Sequence, residues 1–192
     1  MKKYETILAD PPWQMDFVKL KMRPNQVAMP YPMMTTKEIC ELGIDLRPYL
    51  DEKCNLFLWT THTYLPDAFK VLSEWGFKYH CCLTWDKTNG RPCWGFKRKT
   101  EFVLYGYRGG ITVNQRGTFI PTLFSEPLTV HSRKPQIFYE ILEKNTPEPR
   151  LELFARNKRD GWDCWGNEVE SDISLGGRNM KEENDGQCKV SY

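Results

Sequence analysis

Asp10-Pro11-Pro12-Trp13 is the stretch whose residue types and order are best suited to chemistry. Tyr4 to Ala9 before it reads as a short strand. Two successive prolines end that strand, because they donate no ladder hydrogen bonds and force the backbone extended. A carboxylate, a rigidly held carbonyl and an aromatic ring therefore stand together at the carboxyl end of a strand. The exocyclic amine of adenine is a poor nucleophile, since its lone pair is delocalised into the ring. Drawing its two hydrogens onto the Asp10 carboxylate and the Pro11 carbonyl moves the lone pair out of conjugation and toward an electrophile. Pro12 keeps that carbonyl rigid, and Trp13 offers a ring to stack on the base, worth about 1–3 kcal/mol per base in single-strand binders. Asp-Pro alone is an ordinary turn. At average residue usage, a chain of 192 residues carries the whole tetrapeptide by chance on the order of once in a few thousand.

A second group of residues is suited to binding. Between Lys87 and Lys99 lie five cations (Lys87, Arg91, Lys97, Arg98, Lys99), no acid, and the aromatics Trp94 and Phe96. Phosphates attract the cations and an unstacked base attracts a ring, although a solvated charged loop accounts for any one of them about as well. Residues 14–34 are polar, Met-rich and punctuated by Pro24, Pro30 and Pro32, and they add Lys19, Lys21, Arg23 and Tyr31. A loop of that length in a compact domain is a lid or a binding loop.

The elements that must position these groups follow from periodicity and punctuation. Thr35 and Glu38 form a capping box for a helix through about Leu42. Asn55 to Thr60 reads as a buried strand. Leu65 to Trp75 is apolar at helical spacing, with Gly76 as its stop. Tyr79 to Trp85 is a strand, residues 86–100 a second long loop, and Phe102 to Tyr105 another strand. Pro135 to Leu142 is a helix and Leu151 to Ala155 the closing strand. Strands alternating with helices at this spacing specify an α/β fold, a mostly parallel twisted sheet with helices on both faces. Ligands of such sheets sit at the carboxyl ends of the strands, where Asp10 is and where both loops leave. Residues 1–170 form one domain, and the polar segment 171–192 reads as a flexible tail.

These residues, in this order, resemble a known family. The segment at 9–13 is similar to the D-P-P-W motif of adenine N(6)-methyltransferases related to the catalytic subunit of the eukaryotic mRNA methyltransferase, and the chain looks like a compact prokaryotic or phage-type member. The resemblance covers about residues 4–168. It continues through Met29-Pro30-Tyr31, Thr35-Thr36-Lys37-Glu38, Leu56-Phe57-Leu58-Trp59 and Leu83-Thr84-Trp85-Asp86-Lys87. It ends with His131-Ser132-Arg133-Lys134-Pro135, Leu151 to Arg156, Gly161-Trp162 and Trp165-Gly166-Asn167-Glu168.

The resemblance implies a Rossmann-like, S-adenosylmethionine (AdoMet)-dependent fold with the catalytic motif ahead of the cofactor-binding segment. It implies that Asp10 and Pro11 lie between cofactor and base, and that Lys134 meets the methionyl carboxylate. Arg156, Asn167 and Glu168 then surround the ribose, Glu152 stands on the cofactor side, and Tyr31 touches the base. Two departures concern the cofactor's adenine. The chain begins nine residues before Asp10, where relatives carry an acidic residue further upstream, and Lys158 stands where those relatives have His. Each residue alone also has a plainer reading: Lys134 and Arg156 as surface cations, Glu152 as strand alternation, His131 as a loop hydrogen-bonder. Trp59, Trp75, Trp85 and Phe154 read as core. The order along the chain carries the assignment.

Charge and cysteines bound the rest. Twenty-seven Lys and Arg against 25 Asp and Glu leave +2, so there is no uniformly basic coat, only local patches beside the crevice. Ten Phe, nine Tyr and seven Trp exceed what a core needs, which marks Trp13, Tyr31, Trp94 and Phe96 as candidate base contacts. Seven cysteines without a C-x-x-C pair form neither a disulfide framework nor a zinc site, and no metal is expected. With no signal peptide and no apolar run of spanning length, a reducing cytoplasm is the expected compartment. The expected partner is adenine-containing nucleic acid, DNA ahead of RNA by family analogy. Recognition would be short and loop-borne, or supplied by a homodimer or partner subunit. The competing readings are a catalytically inert, AdoMet-free binding relative, and an enzyme for another amine. Relatives of the latter kind carry Asn and Tyr in place of Asp10 and Trp13.

Overall fold

A computed structural model describes residues 1–14, 33–93, 95–113, 119–127 and 134–176, with side chains left out at 91–93. Seven strands make one sheet: β1 (Tyr4–Ala9), β2 (Leu50–Thr60), β3 (Lys78–Cys93), β4 (Phe96–Arg108), β5 (Leu123–Ser125), β6 (Arg150–Leu153) and β7 (Asp163–Trp165). Their order is β5-β3-β4-β2-β1-β6-β7. β4 runs antiparallel to both neighbours, and every other pairing is parallel. Six strands thus point one way, and β1, carrying the Asp-Pro-Pro-Trp motif at its carboxyl end, lies between β2 and β6. The mostly parallel α/β sheet matches expectation.

Strand alternation divides the apolar residues between two cores. Ile7, Ala9, Leu56, Leu58 and Leu104 face one side, where α1 (Thr36–Leu46) and α2 (Leu65–Glu74) bring Ile39, Leu42, Ala68, Val71 and Leu72. Leu8, Phe57, Trp59, Val103 and Tyr105 face the other, covered by Phe138 and Leu142 of α3 (Gln136–Asn145). Each such side chain contributes roughly 1.5–3 kcal/mol on burial. The expected core tryptophans Trp59, Trp75 and Trp85 are all buried. Trp75 lies against the backbone of α1, its indole N–H donating to the Ile39 carbonyl over 2.8 Å. Gly43 permits this approach, because a Cβ there would collide with the Trp75 ring.

The helix ends are built as their residues require. Thr35 and Glu38 make the full capping box of α1. Gly76, at φ +83°, ends α2 in the left-handed region that glycine tolerates. The N-cap of α3 is Pro135, which has no side-chain acceptor. Glu126, just after β5, supplies one instead: its carboxylate accepts the N–H groups of Gln136 and Ile137 at 2.9 and 3.0 Å. That clamp sits immediately beyond Lys134.

Two expectations are corrected here. Residues 86–100 are not a long loop: β3 and β4 continue as one hairpin, with Arg91 opposite Arg98 and Cys93 opposite Phe96. Its outer part is polar on both faces and interrupted by a bulge between Asp86 and Arg91, so it lacks the alternation that marks a half-buried strand. The packed domain also runs past residue 170. Asp172 accepts the Cys164 N–H at 2.9 Å, Tyr49 donates to the Ser174 carbonyl, and Leu175 is fully buried. Residues 177–192 of the expected tail lie outside the described residues. Among the described residues no helix is long and apolar enough to cross a membrane.

Candidate active site

Asp10 follows the last residue of β1, and its partner arrives from another part of the chain. Lys134 Nζ, just ahead of α3, lies 3.0 Å from Asp10 Oδ2. The same ammonium lies 3.3 Å from Glu101 Oε2 on β4, and Glu101 Oε1 meets Lys87 Nζ of β3 at 3.1 Å. Four charges of alternating sign thus run Asp10, Lys134, Glu101, Lys87. The ring of Trp59 carries the Lys134 ammonium 4.7 Å from its centroid, a cation–π contact at the end of β2. The four side chains retain only 17–30% exposure, which strengthens each attraction over its value in open water.

The chain of charges shapes the titration of its members. Burial alone would lower Lys134, but Asp10 and Glu101 hold it above the ordinary lysine value. Burial would raise Glu101, yet Lys134 and Lys87 hold it below the usual carboxylate range. Burial pushes Asp10 upward and Lys134 opposes it. With the ammonium at 3.0 Å and nearly a third of the carboxylate in water, the ionised pair is the state this geometry supports.

Backbone hydrogen bonds fix the motif itself. The Trp13 N–H donates to the Pro11 carbonyl at 2.9 Å, the Met34 N–H to the Pro12 carbonyl at 2.8 Å, and the Gln14 N–H to the Met34 carbonyl at 3.0 Å. The Pro11 carbonyl therefore has one amide partner, the Trp13 N–H. It is aimed by that tight turn and keeps its second lone pair. Trp13 is packed inward. Its ring is 8% exposed and stacked on Tyr64 at 5.5 Å, and its indole N–H donates to the Trp59 carbonyl. Tyr64 is the stacking partner of this ring, and the bonds of Pro12 and Gln14 with Met34 hold the backbone on either side of it.

The cofactor-side residues gather at the ends of β6 and β7. Glu152 is buried enough to be pushed up to about 7, even though the Tyr139 hydroxyl donates to its Oε1 at 2.8 Å and opposes the shift. Phe154, at φ +62°, turns the chain after β6 through a conformation costing a non-glycine residue about 1–2 kcal/mol. Beyond it Arg156 Nε faces Glu168 Oε1 at 3.7 Å. Asn167 Oδ1 is buried with no donor among the described residues. Lys158 lies near Glu170 and Asp172, at 3.9 and 3.7 Å.

The expected nucleic-acid contacts separate. Lys87 turns inward and is paired with Glu101 at 3.1 Å. Lys97, Arg98 and Phe96 are exposed on the hairpin, and Arg98 reaches the Thr63 hydroxyl at 3.3 Å. Lys99 is paired with Asp86. Tyr31, Trp94, His131 and the side chain of Arg91 lie outside the described residues. Two site residues escaped the sequence reading. Glu101 is an acid just past the run of cations, a local signal that pointed to solvent. Tyr139 sits on a helix whose pattern reads as ordinary amphipathic packing.

An open, mostly parallel sheet with Asp-Pro-Pro-Trp at the end of its first strand, and polar residues following β6 and β7 on one side of it, is the arrangement of a Rossmann-like methyltransferase. The chain belongs to the MT-A70 family, whose model matches residues 4–168, and this family is AdoMet-dependent. It is 31% identical over 185 residues to the type II methyltransferase M.MunI of a Mycoplasma species, covering 88% of this chain and 78% of that protein. It is 29% identical over 201 residues to the N(6)-adenosine-methyltransferase MT-A70-like protein of Drosophila melanogaster. To the N(6)-adenosine-methyltransferase catalytic subunit METTL3 of Homo sapiens it is 27% identical over 179 residues. The matches cover 97% and 88% of this chain but only 31% and 28% of the two animal proteins.

Proposed function

We propose that this protein transfers the methyl group of AdoMet to the 6-amino group of adenine in nucleic acid, with DNA preferred to RNA. The observation that carries the reading is the Asp10 carboxylate, held by Lys134 at the carboxyl end of β1 inside a backbone-clamped Pro-Pro frame. Lys134 engages Oδ2, which leaves Oδ1 to accept one amine hydrogen. The Pro11 carbonyl accepts the other through its second lone pair. Both acceptors are fixed before the base arrives, so their contribution is positioning and preorganised electrostatics. Asp10 need not be a strong base, because the ammonium formed by alkylation loses its proton easily. A duplex substrate must first flip its adenine out of the stack.

AdoMet supplies the electrophilic methyl group. The residues present suit it: the orphaned Asn167 Oδ1 needs a hydroxyl donor, and a ribose provides one. Arg156 and Glu168 would complete that polar end, while Lys134 and Glu152 would meet the methionyl end. Of the three relatives compared, the one this chain fills most nearly is the type II methyltransferase, which supports DNA. Exposed Lys97 and Arg98 would hold phosphates, and a homodimer or partner subunit would add to recognition.

The test is incubation with AdoMet and matched single- and double-stranded DNA and RNA, with mass detection of the methylated nucleoside. N6-methyladenine in DNA is the expected product. AdoMet that fails to bind, or no product on any of the four substrates, would overturn the reading in favour of an inert binding relative. Product on RNA alone would overturn the preference.

A further inference from the structure

The reading above makes no use of Glu101 or Lys87, yet both are held within the site. Glu101 stands on β4 opposite Trp85, two residues along from Lys87, and reaches the ammonium that holds Asp10. Lys134 precedes the first turn of α3, whose cap is supplied from elsewhere by Glu126. Among the described residues its ammonium is placed by contacts with Asp10, Glu101 and the face of Trp59.

We propose that Glu101 is a positioning residue for methyl transfer: through Lys134 it sets both the aim and the effective charge of Asp10. This rests on the proposed activity and extends it to residues that touch neither substrate nor cofactor. The physical argument is a division of charge. A lysine shared between two carboxylates gives each only part of its attraction. With Glu101 neutralised, the whole ammonium falls on Asp10, and a carboxylate so tightly paired is a weaker acceptor for an amine hydrogen. Lys87 is the counterweight. Glu101 lies in a largely dry place, and with Lys87 removed its ionised form is held by Lys134 alone. That would draw Lys134 away from Asp10. The alternating row therefore fixes Lys134 between two opposing carboxylates, at 3.0 and 3.3 Å, with Trp59 as its floor.

The experiment compares Glu101→Gln, Glu101→Asp and Lys87→Met with the wild-type protein in two measurements. The first is methyl transfer across pH on an adenine-containing oligonucleotide. Glu101→Gln should lower kcat about 10- to 100-fold while KM for the oligonucleotide changes less than threefold. The alkaline limb of the kcat profile should move to lower pH, because Lys134 has lost one of the two carboxylates that keep it protonated. Glu101→Asp should restore part of the rate, and Lys87→Met should lower it less than Glu101→Gln. The second measurement is the titration of the Lys134 ammonium by NMR in the resting protein, which needs no turnover. It should shift downward in Glu101→Gln.

The two measurements separate the possible failures. A Lys134 shift in a protein that methylates nothing would retain the charge row but overturn the positioning role along with the proposed activity. An unmoved Lys134 titration, or an unchanged kcat in a Glu101→Gln protein of active wild type, would overturn the inference while leaving the activity standing. A merely structural role would lower thermal stability and active fraction without moving the alkaline limb, and that result would also overturn it.

Discussion

The Tyr139 hydroxyl on α3 donates to Glu152 Oε1 on β6 across 2.8 Å, tying the helix that follows Lys134 to the strand beside Asp10. Burial raises the Glu152 carboxyl and this bond opposes it, leaving it pushed up to about 7. Tyr139→Phe removes the donor and keeps the ring. The Glu152 midpoint should then rise above about 7, and the fold should lose about 1 kcal/mol. Carboxyl-carbon NMR reads the first and thermal unfolding the second. A midpoint that stays put would show that the hydroxyl does not govern Glu152.

Glu152 also gives stability a dependence on pH. Unfolded, its carboxyl ionises near 4.5; folded, it ionises at about 7. Between those values the folded state holds a proton that the unfolded state has released, so stability falls as pH rises through the window. Above 7 the loss is complete, and below 4.5 it vanishes. Glu152→Gln keeps an acceptor for Tyr139 and removes the ionisation. It should stabilise the fold by roughly 1–3 kcal/mol at pH 8 and by little at pH 4, as read in denaturant melts at the two pH values. Equal effects at both would contradict a raised Glu152.

Asp10→Ala should reduce methylation at least about 100-fold, the scale seen when a preorganised acceptor or donor is lost from a reacting centre. The fold should survive, because Lys134 keeps Glu101 as its partner and the motif is clamped by backbone bonds that the substitution leaves alone. Turnover measured beside circular dichroism decides it. Retained turnover would sink the mechanism proposed for this site.

How far the residues alone disclose this arrangement depends on the range of each interaction. The capping box at Thr35, the stop at Gly76 and the strand before Asp10 are local, and all three stand as the sequence reads. The residues at the ends of β1, β6 and β7 come together because a parallel sheet brings strand ends to one edge, so their assembly follows from fold class. Glu101 could not be read this way. Its role needs β4 to insert antiparallel between β2 and β3, which places it next to a lysine 33 residues away. The partners of Lys87 and Trp13 are hidden in the sequence for a related reason. A cation beside other cations suggests solvent, and an aromatic beside a reactive motif suggests a ligand, until the packing of Glu101 and Tyr64 is known.

Trp13 gives that last point a test. Its ring is buried on Tyr64 and its indole bonds the end of β2, so Trp13→Ala should cost about 3–5 kcal/mol of stability. Trp13→Phe keeps a stacking ring and loses one hydrogen bond, and should cost about 1 kcal/mol beyond its lost area. Chemical denaturation measures both. A Trp13→Ala protein as stable as wild type but weak in nucleic-acid binding would return the residue to the substrate side.

In the proposed function the exposed cations of the hairpin meet phosphates, and salt dependence isolates that contact. Lys97 and Arg98 are exposed, whereas Lys87 and Lys99 are paired with Glu101 and Asp86. Each phosphate neutralised releases counterions, so log affinity falls with log salt at a slope near 0.9 per contact on duplex DNA. Replacing Lys97 and Arg98 together with Ala should weaken binding at low salt and flatten that slope by about 2. The rate at saturating substrate should hold, because neither residue lies in the row from Asp10 to Lys87. Lys99→Ala should flatten the slope by less, since Asp86 already neutralises it. Fluorescence anisotropy with a labelled duplex across a salt series supplies the slopes. An unchanged slope in the double variant would remove the hairpin from the binding surface and move the phosphate contacts elsewhere on the chain.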